Sequence, residues 1–586
     1  MSVETLITDH IAIWSSALQT RSTAGRGSNG KIDLYGIKKL RELILELAVR
    51  GKLVPQDPND EPASELLKRI AAEKAELVKQ GKIKKQKPLP EISEDEKPFE
   101  LPSGWEWASI QNLCLLENGD RSKNYPNKST LTQTGIPFVN AGHLLNGRID
   151  AAEMTFIKES HFEILRSGKF MPGDILFCLR GSLGKSALVE NISGAIASSL
   201  VIVRAYPLVN NKYVHFYFGS PIAYQFIKKY DNGTAQPNLA ANDLARFIIP
   251  IPPLGEQIRI LDKIDALMSL CDQLEQQSLT SLDAHQQLVE TLLVTLTDSQ
   301  NAEELAENWA RISQYFDTLF TTEASIDALK QTILQLAVMG KLVPQDPNDE
   351  PASELLKRIE QEKAQWVKEG KIKKQKPLPP VSDEEKPFEL PQGWEWVRLG
   401  DIGTISGGGT PSKNNEKYWS GNIPWVSPKD MKTDYISAAE LNISELAVAN
   451  SSVRMIPSNS ILFVVRGMIL AHTFPVAINL KEVTINQDMK SIASHLFNMD
   501  FLLYLMKGMS HKVLELVDRS SHGTCKLVSE KLFNLQIPLP PLNEQGRINR
   551  RIAELVLSCD TLKSRLQSAQ QTQLYLADAL TEAALN

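Results

Sequence analysis

The chain repeats itself, and no other feature of the sequence constrains its fold as tightly. Residues 51–110, GKLVPQDPNDEPASELLKRIAAEKAELVKQGKIKKQKPLPEISEDEKPFELPSGWEWASI, align without a gap to residues 340–399, with 47 of the 60 positions identical. A second matched pair, IPIPPLGEQIRILDKI at 249–264 and IPLPPLNEQGRINRRI at 537–552, recurs at nearly the same offset. The 586 residues are thus two half-copies in tandem, and roughly 100 to 200 residues per domain would make three to five units of them.

Between the matched segments lie two stretches, 100–253 and 389–541, in which only fragments still align. IPFVNAGHL parallels IPWVSPKDM, DILFCLRG parallels SILFVVRG, and GTAQPNLAANDLARFIIP parallels GTCKLVSEKLFNLQIP. The halves share a scaffold and differ in surface, as two readers of unlike targets would. An enzyme duplicated for stability would instead keep its catalytic residues in both copies. This divides the chain into an N-terminal helical region 1–99, a variable domain 100–253, and a central region 254–388 holding a long helix and the second block. A second variable domain, 389–541, and a C-terminal helix, 542–586, complete it.

The fold class is mixed α/β. Short apolar, β-branched runs such as DILFCL, SLVIVRA, FIIPI, SILFVV and FPVAINL are bounded by Gly, Pro and Asn, whereas HFYFGSPIAYQFIKKY and MDFLLYLMKGM read as helices. KIDLYGIKKLRELILELAV and TTEASIDALKQTILQLAVM read as amphipathic helices, and ASELLKRIAAEKAELVKQG as a charged one. After each IPxPPL segment, where proline marks a helix start, a heptad runs on. In the second copy it is Ile552, Leu555, Cys559, Leu562, Leu566, Ala569, Gln573, Leu576, Leu580 and Ala583. In the first it is Ile264, Leu267, Cys271, Leu274, Ser278, Ser281, His285, Leu288, Leu292 and Thr295, with a polar middle. These seams predict an antiparallel coiled coil. About 43 residues at 1.5 Å each would give a rod of roughly 60 Å, with the variable domains at its two ends related by a pseudo-two-fold axis. The alternative is that each helix packs on its own domain.

Sixty-four Lys+Arg against 70 Asp+Glu leave a net charge of −6, so nucleic acid must be bound locally. Residues 100–253 carry net +2 and residues 389–541 net 0, which places the acidity on the helical scaffold. The five cysteines form no C-x-x-C pair, which removes zinc ribbons, Fe–S runs and a disulfide framework. Glu4 and Asp9 stand where a signal peptide would be basic, and no apolar run reaches a membrane span of roughly 18 residues. A cytoplasmic protein is expected.

Catalytic motifs are missing. RGSLGKS at 180–186 has Leu179 where a phosphate loop needs glycine, and the second copy reads RGMILAH. H-E-x-x-H, G-x-S-x-G and the D/N-P-P-Y/F tetrapeptide of adenine methyltransferases are absent, and no metal ligand set is evident. Arg180-Gly181 and Arg466-Gly467, by contrast, end the same predicted strand in both copies, with arginine suited to guanine or phosphate and glycine to close backbone approach. A buried structural salt bridge is the other reading of these arginines. The loops RSKNYPNKS (121–129) and PSKNNEKYW (411–419) interleave Lys and Asn with aromatics, as phosphate and base contacts require, or as a solvated loop allows. The candidate DNA-binding residues are Arg121, Lys123, Asn124, Asn140, His143, Arg180, Ser182 and Lys185 in the first domain. In the second they are Lys413, Asn414, Lys429, Lys432, Arg466 and Lys526. Ile264, Leu267, Leu274, Leu288, Ile552, Leu555, Leu562 and Leu566 are the candidate coiled-coil and partner positions. The lysine-rich KIKKQKPLP that follows the charged helix in both copies reads as a solvated helix end leading into a linker, or as a phosphate grip.

Two diverged domains, each closed by IPIPPLGEQ or IPLPPLNEQ running into a long helix, together with the duplicated GKLVPQDPNDEPASELLKRI and PFELP-x-GWEW blocks, resemble the specificity subunits of type I restriction-modification systems. Length and duplicated block resemble the longer subclass. The resemblance implies a non-catalytic subunit whose two target recognition domains, 100–253 and 389–541, each read half of a bipartite asymmetric site on double-stranded DNA. It also implies partners: modification subunits, two in number, that carry S-adenosylmethionine and methylate adenine at N6, and restriction subunits that use ATP and Mg. The segments 254–298 and 542–586 and the duplicated blocks match the partner-binding regions.

Overall fold

The computed structural model describes residues 3–21, 31–233, 236–370, 377–519 and 524–585. Six helices frame it: α1 (Tyr35–Val49), α2 (Ala63–Lys79), α3 (Leu254–Asp298), α4 (Glu323–Val338), α5 (Ala352–Lys368) and α6 (Leu542–Leu585). The chain divides into two compact units, one of Met1–Gln19, Ile32–Leu279 and Gln570–Asn586, the other of Thr20–Lys31 and Thr280–Ala569. Each unit therefore holds the beginning of its own long helix and the end of the other copy's.

In the first unit, a four-stranded antiparallel sheet runs in the order Ser186–Leu188, Ile175–Cys178, Leu200–Ala205, Cys114–Asn118. A five-stranded sheet follows the order Lys169–Phe170, Gly194–Ile196, Ile136–Val139, Thr155–Ile157, Leu131–Thr132, with Gly194–Ile196 and Ile136–Val139 parallel. Ile175–Cys178 is buried along its whole length, which explains why it reads as an unbroken apolar run. The domain closes where Glu106–Ser109 pairs antiparallel with Ile248–Ile251, putting Trp107 opposite Pro250. The duplicated W-E-W and I-P-x-P motifs are thus each other's strand partners, and a two-stranded ribbon tolerates the prolines that a central strand would not. Tyr213 and Tyr217, on the helix Asn211–Phe218, donate their hydroxyls to the carbonyls of Pro250 and Ile248 at 2.9 and 2.8 Å and lock that ribbon down.

The second unit repeats the plan with altered sheets. Five strands run Thr404–Gly407, Met489–Ala493, Ile461–Val464, Val476–Asn479, Tyr435–Ile436, and three run Leu441–Ile443, Ile423–Val426, Thr484–Ile485. Glu395–Arg398 pairs with Gln536–Leu539 to close this domain, again with tryptophan (Trp396) opposite proline (Pro538).

One lock recurs in both units. Glu256, in the first turn of α3, accepts the Trp105 indole N–H at 2.9 Å and the Gln56 amide at 3.1 Å, and Arg259 one turn later binds Asp60 at 2.6 Å. Glu544 of α6 accepts Trp394 at 3.0 Å and Gln345 at 3.2 Å, while Arg547 binds Asp349 at 2.6 Å. Hydrogen bonds to a buried charged group contribute roughly 1.5 to 3 kcal/mol each, enough to fix where a helix starts. A second shared bond joins α2 and α5 to their domains: Lys74 donates to the Gln111 carbonyl at 2.7 Å, Lys363 to that of Gly400 at 3.2 Å.

The seams differ from a two-stranded coiled coil because a third helix joins each. In the first unit α1 bonds both long helices: Arg41 to Asp272 and Glu275 of α3, Tyr35 to Asp578 of α6 at 2.7 Å. In the second unit α4 bonds α6 through Lys330–Asp560 and Lys563–Asp327, while His285 of α3 meets the Leu319 carbonyl just before α4 at 2.9 Å. Val289, Leu293 and Leu296 of α3, Ile552 and Cys559 of α6, and Ile326, Leu329 and Ile333 of α4 belong to one core cluster, with Leu555, Leu562 and Leu566 packed against it.

The heptad positions hold at Ile264, Leu267, Cys271 and Leu274, all buried, and then slip. Leu288, expected in the seam, is 51% exposed, and Val289 takes the buried place. Leu576 is exposed likewise and Ala577 buried. A straight α-helix has 3.6 residues per turn, so its buried stripe drifts about 20° per heptad away from a strict 3.5 repeat. Of the lysine-rich linkers, Lys84, Lys85 and Lys87 are exposed in a non-helical stretch, and the second copy at 371–376 lies outside the described residues. Among the described residues no helix is long and apolar enough to cross a membrane.

Candidate nucleic-acid interface

In each domain the loops that carry the candidate residues hang from one backbone spine. In the first, that spine is residues 196–199. The Ala197 N–H donates to the Val139 carbonyl at 2.8 Å, which seats the Asn140–His143 turn beside it, and Leu179 N–H donates to Ser199 at 2.8 Å, which seats Arg180. Ser198 N–H reaches the Tyr125 hydroxyl at 3.4 Å, joining the 121–129 loop. Gly119 lets that loop pass close to the spine, since a Cβ there would lie 3.0 Å from the Ala197 carbonyl oxygen. Asp120, nearly fully buried, anchors the loop by accepting the N–H groups of Ser122 at 2.6 Å and Arg166 at 2.7 Å. Burial pulls its carboxyl up, but these bonds outweigh it and hold Asp120 below the ordinary carboxylate range.

In the second domain the spine is 485–488. Gly409 N–H donates to Ile485 at 2.9 Å, Asn486 N–H to Val426 at 3.0 Å, and Val465 N–H to Asp488 at 2.8 Å. These place the loops of Lys413 and Asn414, of Lys429 and Lys432, and of Arg466 along one rim. Thr410 and Gln487 add a side-chain hydrogen bond across it. Gly467 N–H donates to Cys525 at 3.0 Å, and Arg466 bridges Lys526, so the two cations are neighbours. The same bridge in the first domain joins Arg180 to Asn238.

Neither guanidinium is buried. Arg180 Nε donates to Asn238 Oδ1 at 3.1 Å, and Arg466, half exposed, lies 3.6 Å from Asp488. Gly181 takes φ +80° and Gly467 φ +135°, conformations that glycine alone adopts at little cost. Arg121, Lys123, Ser182, Lys185, Lys413, Asn414, Lys429, Lys432 and Lys526 are all exposed.

His143 corrects the reading of its loop. It is 5% exposed, its Nδ1 accepts the Asn140 N–H at 3.1 Å, and its Nε2 meets the Glu153 carbonyl at 3.0 Å. A histidine with both ring nitrogens spent on backbone braces the turn and has no edge left for a base. Asn140 Oδ1 likewise accepts from Gly142 N–H at 2.7 Å, and Asn124 Nδ2 donates to Ile164 at 2.9 Å, so both amides are partly committed to their own loops. Sequence reasoning missed Asn238 and Asp488, the groups that hold the two arginines. Their only signal was position, since each lies in a short polar run that pairs with an Arg-Gly strand end.

Comparison with known proteins matches the organisation into two related domains. The family model for the type I restriction modification DNA specificity domain matches twice, at residues 102–284 and 391–570. The chain is 51% identical over 610 residues to the type I restriction enzyme EcoAI specificity subunit of Escherichia coli, and 52% identical over 613 residues to the EcoEI specificity subunit of the same species, covering all of each chain in both cases. A solved structure described as the structural basis underlying complex assembly and conformational transition of the type I R-M system aligns over 83% of this chain and 99% of its own, at 19% identity and a TM-score of 0.49. Two scaffolds of one design carrying two unlike rims, and a match across the full length, make this chain a member of the type I restriction-modification specificity subunit family.

Proposed function

We propose that each domain reads one half of a bipartite, asymmetric site on duplex DNA through its rim, and that partner subunits perform the chemistry. The observation that carries this is the pairing of matched spines with unlike side chains. Arg180 and Arg466 occupy the same place in both domains, while their neighbours differ: Asn238 against Lys526, and Ser199 against Asp488. The fixed arginine suits a phosphate or a guanine, and the variable neighbours suit base-specific contacts. With near-neutral domains, binding depends on the local cations Arg121, Lys123 and Lys185 on one rim and Lys413, Lys429, Lys432 and Lys526 on the other. Modification subunits, two in number, would supply S-adenosylmethionine and methylate adenine at N6, and restriction subunits would supply ATP- and Mg-dependent translocation and cleavage.

Adenine methylation mapped across the host genome, with and without this chain, tests the reading. One bipartite motif with a fixed spacer should vanish on deletion. Persistence of every motif overturns the proposal, as does methyl transfer by the purified chain alone.

A further inference from the structure

The turn after Arg466 carries an apolar pair that the rim's hydrogen bonding leaves unused. Met468–Ala471 forms a single 3-10 turn whose Leu470 is 0% exposed and seated in the domain core. Met468 is 63% exposed and Ile469 39% exposed. The support beneath them is tied down: Leu470 N–H donates to Gly467 at 3.2 Å and Thr473 N–H to Ile469 at 3.0 Å. Arg519 Nη2 donates to the Ala471 carbonyl at 3.2 Å. Two bulky side chains thus stand out from a short, braced turn beside three exposed cations: Arg466, which Asp488 faces at 3.6 Å, Lys526, which lies opposite Asp518 in its ribbon, and Arg519.

Single exposed apolar residues need no explanation, but an adjacent pair on a rigid turn, with cations beside it, has a specific physical use. Proteins that distort duplex DNA hold phosphates with cations and push an apolar wedge between neighbouring base pairs. The wedge reads sequence without touching base edges, because flexible pyrimidine–purine steps open at less cost than stiff ones. At the corresponding place the first domain has Ser182 and the half-buried Leu183, so the feature belongs to one domain only.

We propose that Met468 and Ile469 form a wedge that opens one base-pair step in the second half-site, adding deformability to whatever Arg466 and Lys526 read. This rests on the reading that the rims face DNA. Three cations, Arg466, Lys526 and Arg519, against two carboxylates, Asp488 and Asp518, leave the surroundings of the turn net positive, which favours duplex DNA as the occupant over a protein surface.

The test uses the full chain and a random-sequence duplex pool, sequencing what is bound, and then the selected duplex with 2-aminopurine placed at each position of the second half-site. Native protein should raise fluorescence at one step. The Met468→Ala/Ile469→Ala double variant, which leaves Leu470 in place, should abolish that rise, relax base preference at that step and weaken binding roughly tenfold, with the first half-site unchanged. No fluorescence rise with native protein, or a rise and preference retained in the double variant, overturns the wedge. Arg180→Ala and Arg466→Ala separate the two levels: if both leave base preference intact, the reading of the rims itself fails; if they relax it and the double variant does not, only the wedge fails.

Discussion

Glu256 and Glu544 are each 1% exposed, and neither carboxylate makes an ion pair among the described residues. Burial raises both above the ordinary glutamate range, against the lowering effect of the tryptophan and glutamine donors and of Arg259 or Arg547 nearby. A carboxyl raised in the folded state ionises more readily once unfolded. Its contribution is therefore full below the unfolded value and is lost as pH rises through the folded one. Glu256→Gln removes that titration. The stability advantage of the native chain over this variant, measured by urea denaturation at a series of pH values, should shrink as pH climbs from the ordinary glutamate value upward. A gap that stays constant with pH refutes the account.

At the scale of elements, the drift of the buried stripe along α3 has a measurable cost. Leu296 is fully buried and belongs to the second unit's core, so Leu296→Ala should lose about 2 to 5 kcal/mol in urea denaturation. Leu288→Ala, at the position the strict heptad favours, should stay within about 0.5 kcal/mol. Equal losses would restore the strict seam. This contrast marks where the sequence is legible. Ile175–Cys178 and Ile461–Val464 announce themselves because burial on both faces makes them continuous apolar runs. The helix starts at Leu254 and Leu542 follow from proline chemistry. The pairing of W-E-W with I-P-x-P leaves its trace as joint duplication. What stays hidden is long-range: α1 and α4 read as amphipathic helices, but nothing local says that they join the long ones. The same holds at the rim, where His143 looks like a base reader until Glu153, ten residues on, takes its Nε2.

For the molecule as a whole, like scaffolds and unlike rims predict modularity. Replacing residues 100–253 by the corresponding domain of a relative should change one half of the methylated motif and leave the other half intact, as read by methylation sequencing. A change in both halves would mean that the domains do not read independently. The twin locks carry a further consequence. Trp105, Gln56 and Asp60 would suit Glu544 and Arg547 as well as they suit Glu256 and Arg259, since the two sets are chemically the same. Fewer residues separate Trp394 from Glu256 than separate either native pair, so loop-closure entropy does not favour the correct match. A chain refolding from denaturant therefore meets a choice of keys. A chain leaving the ribosome does not, because its first key has already turned before the second is made.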